Sequence, residues 1–220
     1  MTTKTKYQLV CKDTDEILFE GWFDSIRSCV ERALEDKVCL NGVDLAGANL
    51  SNANLDDAQM VGANLSGANL NGANLSEGVF DNANFTDADL SNACLVQGSF
   101  MNTNFYGASF SSTDVTDAVI TGCQFSCPSV FSTLFGRAAL FLGCHYIHSG
   151  GDHFFMDRPP VTVYGLVRDI VFLDDVIKVG HDFIMKRDIL SVGVHHLKLM
   201  YGNDIARYLS PIFHEKINIV

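Results

Sequence analysis

The sequence lacks cations over nearly half of its length. No Lys or Arg occurs between Val38 and Gly136, whereas the same stretch carries nine acidic residues. That stretch therefore accounts for −9 of the formal net charge of −11. A surface without cations cannot release counterions from a phosphate backbone, so we expect no direct binding of nucleic acid by this part of the chain.

Three other features are also missing. No apolar stretch follows the N-terminal Met-Thr-Thr-Lys, so we expect neither a signal peptide nor a transmembrane anchor. The seven cysteines are odd in number and lack the spacing of a disulfide framework, which predicts free thiols in a reducing compartment and a cytoplasmic location. The sequence has no G-x-S-x-G elbow, phosphate loop or H-E-x-x-H motif, so we expect a protein that is not an enzyme and needs no cofactor.

What the sequence has instead is a period of five residues. From Val38 to Cys127 it contains 18 consecutive copies of one unit: a small residue, Asn or Asp, a large apolar residue and two small polar residues, as in residues 48–52 (ANLSN). A fixed period sustained over this length indicates a solenoid, in which each unit packs on its neighbours. Five matches neither the strand period of 2 nor the helix period of 3.6, so we expect the chain to turn a corner once per unit.

The unit resembles the A-(D/N)-L-x-x motif of the pentapeptide-repeat family, which residues 48–75 match almost verbatim. The resemblance implies an all-β solenoid core, a right-handed, four-sided β-helix in which the small residue and the central Leu or Phe point inward. Four units per coil would give roughly 4.5 coils, and at the usual strand spacing a rod on the order of 20 Å long.

Folding the repeat four units to a coil assigns each outward residue to one of four faces. One of them, the acidic face, collects five carboxylates: Asp56, Asp57, Glu77, Asp114 and Asp117. One interpretation is solubility, because repeat arrays need polar exteriors. The other is that the charge imitates nucleic acid and attracts the basic groove of a DNA-handling protein.

The characterised gyrase-protecting members of the pentapeptide-repeat family act by DNA mimicry, so the resemblance implies a type II topoisomerase as a candidate partner. Two features differ from those members. No loop interrupts the register of this array, whereas some of them carry such loops, and five carboxylates over several coils make a sparse ladder. Our leading hypothesis is a non-enzymatic protein-interaction module that acts as an acidic DNA mimic.

A second face exposes four apolar residues, which we call the apolar seam: Val61, Val79, Met101 and Val119. Scattered apolar residues are normal on any protein surface. Four on one side of a rod can instead be covered by another part of the chain or by a second subunit. We expect coverage by the C-terminal region or by the other protomer of a dimer.

The segments around the repeat region are predicted to be small α+β caps. Residues 1–37 should form a hairpin and a helix that begins at Asp24 or Ser25 and lies over the first coil. Residues 128–160 form a transition segment in which Val130, Phe135 and Leu140 keep the spacing of the repeat. Residues 161–220 should contain strands at 161–166, 169–173 and 176–180 and helices at 189–200 and 204–217.

The hairpin and the final helix of the C-terminal region resemble segments attached to pentapeptide-repeat proteins encoded by phages and prophages. This resemblance supports an alternative function. In that alternative, the protein is a phage-encoded inhibitor or scaffold that binds a host protein through the C-terminal region, and the rod is a spacer.

A cluster of histidines follows the repeat region. Imidazole and thiolate groups can bind zinc, and the candidate ligands are Cys144, His145, His148 and His153. Their spacing matches no standard structural zinc site, so we expect a Gly-rich loop with exposed or packed histidines and no bound metal. A metal-dependent enzyme at this loop is a further alternative, and a Cys123–Cys127 metal pair is another.

Overall fold

The computed structural model describes residues 4–163, 170–174, 176–179 and 182–185. The chain divides into two compact units between Pro159 and Pro160. The first unit contains the N-terminal segment and the repeat array. The helices predicted at 189–200 and 204–217 lie outside the described residues.

The N-terminal segment consists of an antiparallel hairpin and one helix. Strands β1 (Thr5–Val10) and β2 (Ile17–Phe23) pair with each other and are followed by helix α1 (Ile26–Glu35). Ser25 is the N-cap of α1: its hydroxyl accepts from the Ser28 N–H at 3.1 Å, and the Ser28 hydroxyl accepts from the Ser25 N–H at 3.2 Å. These two bonds satisfy amide groups that a helix N-terminus leaves without partners.

This segment covers the edge of the first coil. In later coils the N–H before each central residue bonds to the preceding coil, as in the 2.9 Å bond from the Asn74 N–H to the Ala53 C=O. In the first coil there is no preceding coil. The Asp44 N–H donates to the Val10 C=O at 2.8 Å, and the Asn54 N–H donates to the Glu31 carboxylate at 3.0 Å. The hairpin and the helix thus supply the missing acceptors and block an exposed strand edge.

The repeat array forms stacked coils with a step of 20 residues. Parallel bridges join Asn49 to Asn69, then Asp89 and then Ser109, and the other faces stack in the same way. A step of 20 contains four units of five, so each coil has four sides. The array is therefore a β-helix-type solenoid: the period predicted the solenoid, and the family resemblance implied the β-helix.

The inward residues of the array form its core. The Leu and Phe residues at the central positions are buried, and so are the Ala residues two positions earlier, except for the half-buried Ala48 in the first coil. In the later coils the Phe rings stack along the rod: ring centres lie 5.4 Å apart between Phe80 and Phe100 and 5.2 Å apart between Phe85 and Phe105. Thr103 occupies an Ala position, and its buried hydroxyl donates to the Phe80 C=O at 2.9 Å. The inward register predicted from the sequence is confirmed.

Each corner requires a left-handed backbone conformation. The residue two positions after the central residue has a positive φ at every unit from Gly42 to Gly122. Gly, Asn and Asp, which tolerate this conformation, supply most of these positions, and Glu77, Gln97 and Ser112 are the exceptions. A side chain often fixes the corner as well: the Asn69 amide oxygen accepts from the Asn71 N–H at 3.0 Å.

The coils continue past Cys127 with one change of register. Short 3₁₀ helices (Pro128–Ser132 and Phe135–Arg137) replace two corners, and Val130 and Phe135 are buried as their spacing predicted. The expectation for Leu140 was wrong: Leu140 is exposed, and Phe141 points inward. One extra residue in the corner between Phe135 and Phe141 causes this shift.

The last coils contain the longest strands of the array. These are β3 (Ser99–Met101), β4 (Asn104–Phe105), β5 (Val119–Thr121), β6 (Gln124–Phe125), β7 (Leu140–Leu142), β8 (Cys144–Ile147) and β9 (His153–Met156). They form two sheets, β3-β5-β7 and β4-β6-β8-β9. All neighbours are parallel except β8 and β9, which form an antiparallel hairpin.

The second unit contains an antiparallel sheet whose strands follow in chain order. These strands are β10 (Val161–Val163), β11 (Ile170–Phe172), β12 (Val176–Val179) and β13 (Asp182–Met185). Ile170, Val176 and Ile177 are buried in it.

The inward register generates a prediction about packing. Ala68 is fully buried, so Ala68→Leu should overpack the coil and lower the free energy of unfolding by about 1–3 kcal/mol. Ala46 lies outward and exposed, so Ala46→Leu should stay within about 0.5 kcal/mol of the wild type. Chemical denaturation of the three proteins measures both changes. Equal destabilisation by the two substitutions would contradict the assigned register.

The corners generate a second prediction. Gln97 has a φ of 58°, a conformation that disfavours a side chain with a Cβ, so Gln97→Gly should raise the free energy of unfolding by up to about 1 kcal/mol. The neighbouring Val96 is not in this conformation, and Val96→Gly should be destabilising by roughly 0.5–1 kcal/mol. Thermal and urea unfolding compare the two. A loss of stability in Gln97→Gly similar to that in Val96→Gly would count against corner strain.

Candidate functional site

All five carboxylates of the acidic face are exposed on one side of the stacked coils. The bridges from Asn54 to Asn74, from Asn74 to Cys94 and from Cys94 to Asp114 place their units directly above one another. Successive coils lie about 4.8 Å apart, so the face spans roughly 14 Å from its first coil to its fourth.

Three of the five carboxylates share one corner of the rod. Asp57, Glu77 and Asp117 occupy the positive-φ position of the first, second and fourth coils, and Gln97 occupies it in the third. Asp56 precedes this corner in the first coil. The acidic face therefore has one column of charge along the rod with a neutral residue inside it.

A cation stands at each end of this column. The Lys37 ammonium lies 3.8 Å from the Asp57 carboxylate, and both side chains are well exposed, at 82% and 66%. One coil beyond Asp117, the Arg137 C=O accepts from the Asp117 N–H at 2.9 Å. Sequence reasoning missed both cations because they lie just outside the repeat. Extending the step of 20 residues from position 57 to 37 and from 117 to 137 would have found them.

Asp114 has a structural role as well as a charge. Its carboxylate accepts from the Thr116 hydroxyl at 2.6 Å and from the Thr116 N–H at 3.0 Å. These two bonds lower the pKa of Asp114; partial burial opposes them, and the nearby charge of Arg137 adds to them. Asp114 is therefore ionised at neutral pH, with its carboxylate held against the corner.

The charge density of the acidic face is below that of duplex DNA. A duplex carries one charge per about 1.7 Å of axis, or about eight over roughly 14 Å. The acidic face places five carboxylates in that length. Its field has the sign of a phosphate backbone and a lower strength.

The apolar seam lies on the face that includes the β3-β5-β7 sheet. Val61, Val79 and Val119 are half-buried, whereas Met101 is 41% exposed. Leu140 and Leu142, at 46% and 48%, extend this surface on β7. Sequence reasoning missed these two residues because it placed Leu140 inside the coil. Exposed apolar surface on this face is therefore greatest at the last coils.

The candidate zinc ligands are separated by the alternation of strand β8. Cys144 is buried and its thiol donates to the Ile120 C=O at 3.6 Å, whereas His145 faces the other way and packs edge-on against Phe155 at 5.0 Å. His148 lies in the turn after β8, and His153 is exposed on β9. In the part of the chain that the structure describes, no three His, Cys, Asp or Glu residues are placed to hold a metal ion.

The two cysteines of the alternative Cys123–Cys127 pair also differ in burial. Cys123 is fully buried and donates to the Phe100 C=O at 2.8 Å, and burial raises the pKa of its thiol. Cys127 is half-buried and accepts from the Ser129 hydroxyl at 3.2 Å. Both thiols thus have partners within the protein.

Among the described residues, no helix is both long enough and apolar enough to cross a membrane.

Comparison with known proteins places the similarity in the repeat array. The family model of pentapeptide repeats matches residues 39–76, 63–100 and 83–122, with eight copies of the repeat. No curated protein is significantly similar to this chain in sequence.

Several solved structures resemble part of the chain. HetL, a pentapeptide repeat protein involved in heterocyst differentiation regulation in the cyanobacterium Nostoc sp. strain PCC 7120, is 32% identical over 36% of this chain and 39% of HetL, with a TM-score of 0.34. Rfr23, a pentapeptide repeat protein from the cyanobacterium Cyanothece 51142, is 31% identical over 42% of this chain and 64% of Rfr23, with a TM-score of 0.29.

A third solved structure is that of QnrB1, a plasmid-mediated fluoroquinolone resistance protein. It is 24% identical over 38% of this chain and 41% of its own, with a TM-score of 0.30. The chain thus spans between 39% and 64% of the length of these three proteins.

Proposed function

Because the repeat region belongs to the pentapeptide-repeat family, we propose that this protein is a non-enzymatic interaction module whose acidic face binds the basic groove of a DNA-handling protein. The observation that supports this proposal is the exposure of all five carboxylates on one side of a rod whose repeat units contain no cation. A groove that binds phosphates through Lys and Arg would be attracted by the same sign of charge.

The attraction acts mainly before contact. The rigid main chain of the rod fixes the spacing of the carboxylates before binding, and their summed field accelerates encounter with a positively charged surface. The ion pair between Lys37 and Asp57 is exposed and contributes little by itself, so a basic partner can displace it. Lys37 and Arg137 restrict the anionic surface to the coils between them.

The partner class follows from the resemblance to the gyrase-protecting members of the family. A type II topoisomerase has a groove that binds duplex DNA, and a rod seated there would exclude the duplex. The lower charge density of the acidic face predicts weaker binding than that of a DNA segment of equal length. We therefore expect competition with DNA at protein concentrations above those of the competing duplex sites.

The apolar seam has a separate role in this proposal. Exposed apolar residues concentrated on the last coils form a surface that another protein surface can cover. We infer that the seam, extended by Leu140 and Leu142, is covered in the functional protein by the C-terminal region or by a second subunit.

The acidic face generates a third prediction. A variant with Asp56→Asn, Asp57→Asn, Glu77→Gln, Asp114→Asn and Asp117→Asn loses the charge and nearly keeps the shape. Its on-rate for a type II topoisomerase should fall by about tenfold or more at low salt, because steering is the long-range part of the interaction. Binding of the wild type should weaken steeply with salt. Surface plasmon resonance and a gyrase supercoiling assay with competing duplex DNA measure these effects.

The remaining four carboxylates of the array provide a matched control. They lie on the other three faces, and Asp44→Asn, Asp81→Asn, Asp87→Asn and Asp89→Asn together remove a similar charge. This variant should keep most of the activity if the acidic face is the binding surface. An inactive wild type, or equal losses in the two variants, would rule out mimicry through this face and direct attention to the C-terminal region.

The apolar seam generates a fourth prediction. Met101 is outward, so Met101→Asp should leave the rod folded. It should weaken the contact between the apolar seam and the C-terminal region or second subunit that covers it. Light scattering should show a lower molar mass if a second subunit covers the seam. Hydrogen exchange should become faster in β10–β13 if the C-terminal region does. Ser111→Asp, an exposed change on another face, is the control, and a Met101→Asp protein identical to it in both measurements would contradict coverage.

A further inference from the structure

Two buried thiols lie in neighbouring coils at the end of the repeat array. Cys123 and Cys144 both occupy the inward small position, which is most often Ala in this array, and both are fully buried. In the parallel pair of β6 and β8, Gln124 lies beside His145, and the His145 N–H donates to the Cys123 C=O at 2.8 Å. This register places Cys123 and Cys144 side by side across the two coils.

The separation of the two cysteines fits a disulfide bond. Neighbouring strands lie about 4.8 Å apart, and disulfides span Cα–Cα distances of roughly 4.4–6.8 Å. Side chains at the same position of two stacked coils point the same way, and the thiols of Cys123 and Cys144 lie within hydrogen-bonding distance of each other. Both cysteines are free thiols in the structure. Rotation of the two side chains would therefore bring the sulfur atoms together with little movement of the strands.

A polar side chain at this inward position does not require sulfur. Thr103 occupies the same column one coil before Cys123. Each of the two side chains donates to the C=O that lies 23 residues earlier, Thr103 to Phe80 at 2.9 Å and Cys123 to Phe100 at 2.8 Å. A hydroxyl thus serves this position as well as a thiol does. Two cysteines in succession add what Thr cannot supply, which is a reversible covalent bond between coils.

The hairpin of β8 and β9 covers the pair. Cys144 on β8 lies opposite Met156 on β9, and the side chains of opposite residues share one face of an antiparallel pair. Met156 is fully buried, so its side chain packs beside Cys144 in the interior of the last coil. β9 is the last strand of its sheet and pairs there with β8. Separation of β9 from β8 would therefore uncover Cys144 while the earlier coils stay stacked.

We propose that Cys123 and Cys144 are a redox-sensitive pair, which a hydroperoxide oxidises to a disulfide that fastens the last coil to the coil before it. When β9 separates, Cys144 releases its proton to water and its thiolate attacks hydrogen peroxide. The O–O bond breaks, Cys144 becomes a sulfenic acid, and the hydroxide that leaves takes up the released proton. The Cys123 sulfur then attacks the sulfenic sulfur, and the hydroxyl group leaves with the Cys123 proton as a second water. Two electrons pass from the two thiols to the peroxide.

The disulfide restricts the end of the rod. It closes a loop over residues 124–143, which contains both 3₁₀ helices and β7. A cross-link that closes such a loop opposes its unfolding. Leu140 and Leu142 lie in this loop, so oxidation stabilises the part of the rod that extends the apolar seam. A thiol reductant reverses the step by attacking the disulfide and supplying two electrons, so the pair remains reduced wherever reductant exceeds peroxide.

The first experiment identifies the bond. Full-length protein is treated with hydrogen peroxide, the remaining thiols are alkylated in denaturant, and tryptic peptides are analysed by mass spectrometry with and without reductant. The tryptic peptide that follows Arg137 contains Cys144 and no other cysteine. Without reductant it should be joined to the peptide that contains Cys123. A fully alkylated Cys144, or one oxidised without the cross-link, would overturn the proposal if the exposed Cys39 has reacted with the peroxide.

Variants assign the partner of Cys144. Cys123→Thr copies Thr103 and should fold, as circular dichroism can check, and it should lose the cross-link completely. Cys123→Ala, which copies Ala83 in the same column, gives the same test if the Thr variant does not fold. Cys127→Ser removes the half-buried cysteine that follows and should keep the cross-link. A cross-link that persists without Cys123, or that disappears without Cys127, would contradict the pairing.

Thermal unfolding measures the effect of the bond. The Tm of the oxidised wild type should lie about 5 °C or more above that of the reduced wild type, because the disulfide closes a loop in the unfolded chain. Reductant should reverse the shift, and peroxide should not raise the Tm of Cys123→Thr. An oxidised wild type whose Tm is unchanged or lower would overturn the fastening of the last coil.

The rate of cross-linking tests access through the hairpin. Met156→Ala should form the disulfide at least about threefold faster than the wild type at the same peroxide concentration, because the smaller side chain weakens the packing that holds β9 in place. His153→Ala, an exposed change on the same strand, is the control and should leave the rate unchanged. Equal rates in the two variants would overturn access by separation of β9.

Discussion

The hydrogen-bond ladder between successive coils is the constraint on which the rest of the structure depends. It places each residue above the residue 20 positions earlier, as the bridge from Asn49 to Asn69 illustrates. Because the step is constant, like positions form columns. Ala and Phe columns fill the interior, corner columns adopt positive φ, and outward columns set the character of each face. The residue types at one position of the repeat unit thereby determine the character of a whole face.

The same constraint determines what the surface can do. Asp57, Glu77 and Asp117 are far apart in sequence and lie in one column, and Lys37 and Arg137 lie in that column as well. The cations limit the length of the negative surface at both ends. One rod thus offers an anionic side with a cation at each end.

Much of the fold could be predicted from the sequence, because the period of five indicates a solenoid and the family resemblance implies which residues point inward. The exceptions arise where the period is broken or where it ends. One extra residue in a corner placed Phe141 inside the coil instead of Leu140. The alternation of strand β8 turned Cys144 and His145 to opposite faces, although they are neighbours in sequence. The two end cations were missed because they lie outside the repeat. The ladder bond missing between the Val115 N–H and the Leu134 C=O depends on the 3₁₀ turn at Phe135–Arg137, which no residue pattern predicts.

The antiparallel hairpin of β8 and β9 has a consequence for assembly. Parallel coils offer at their last edge the same hydrogen-bonding pattern that the first coil of another rod would need, so two rods could join end to end into a filament. On the side of β8, β9 runs in the opposite direction and presents an antiparallel edge instead. The N-terminal hairpin and α1 occupy the other end of the rod. The reversed direction of β9 thus hinders the end-to-end joining of rods into a filament.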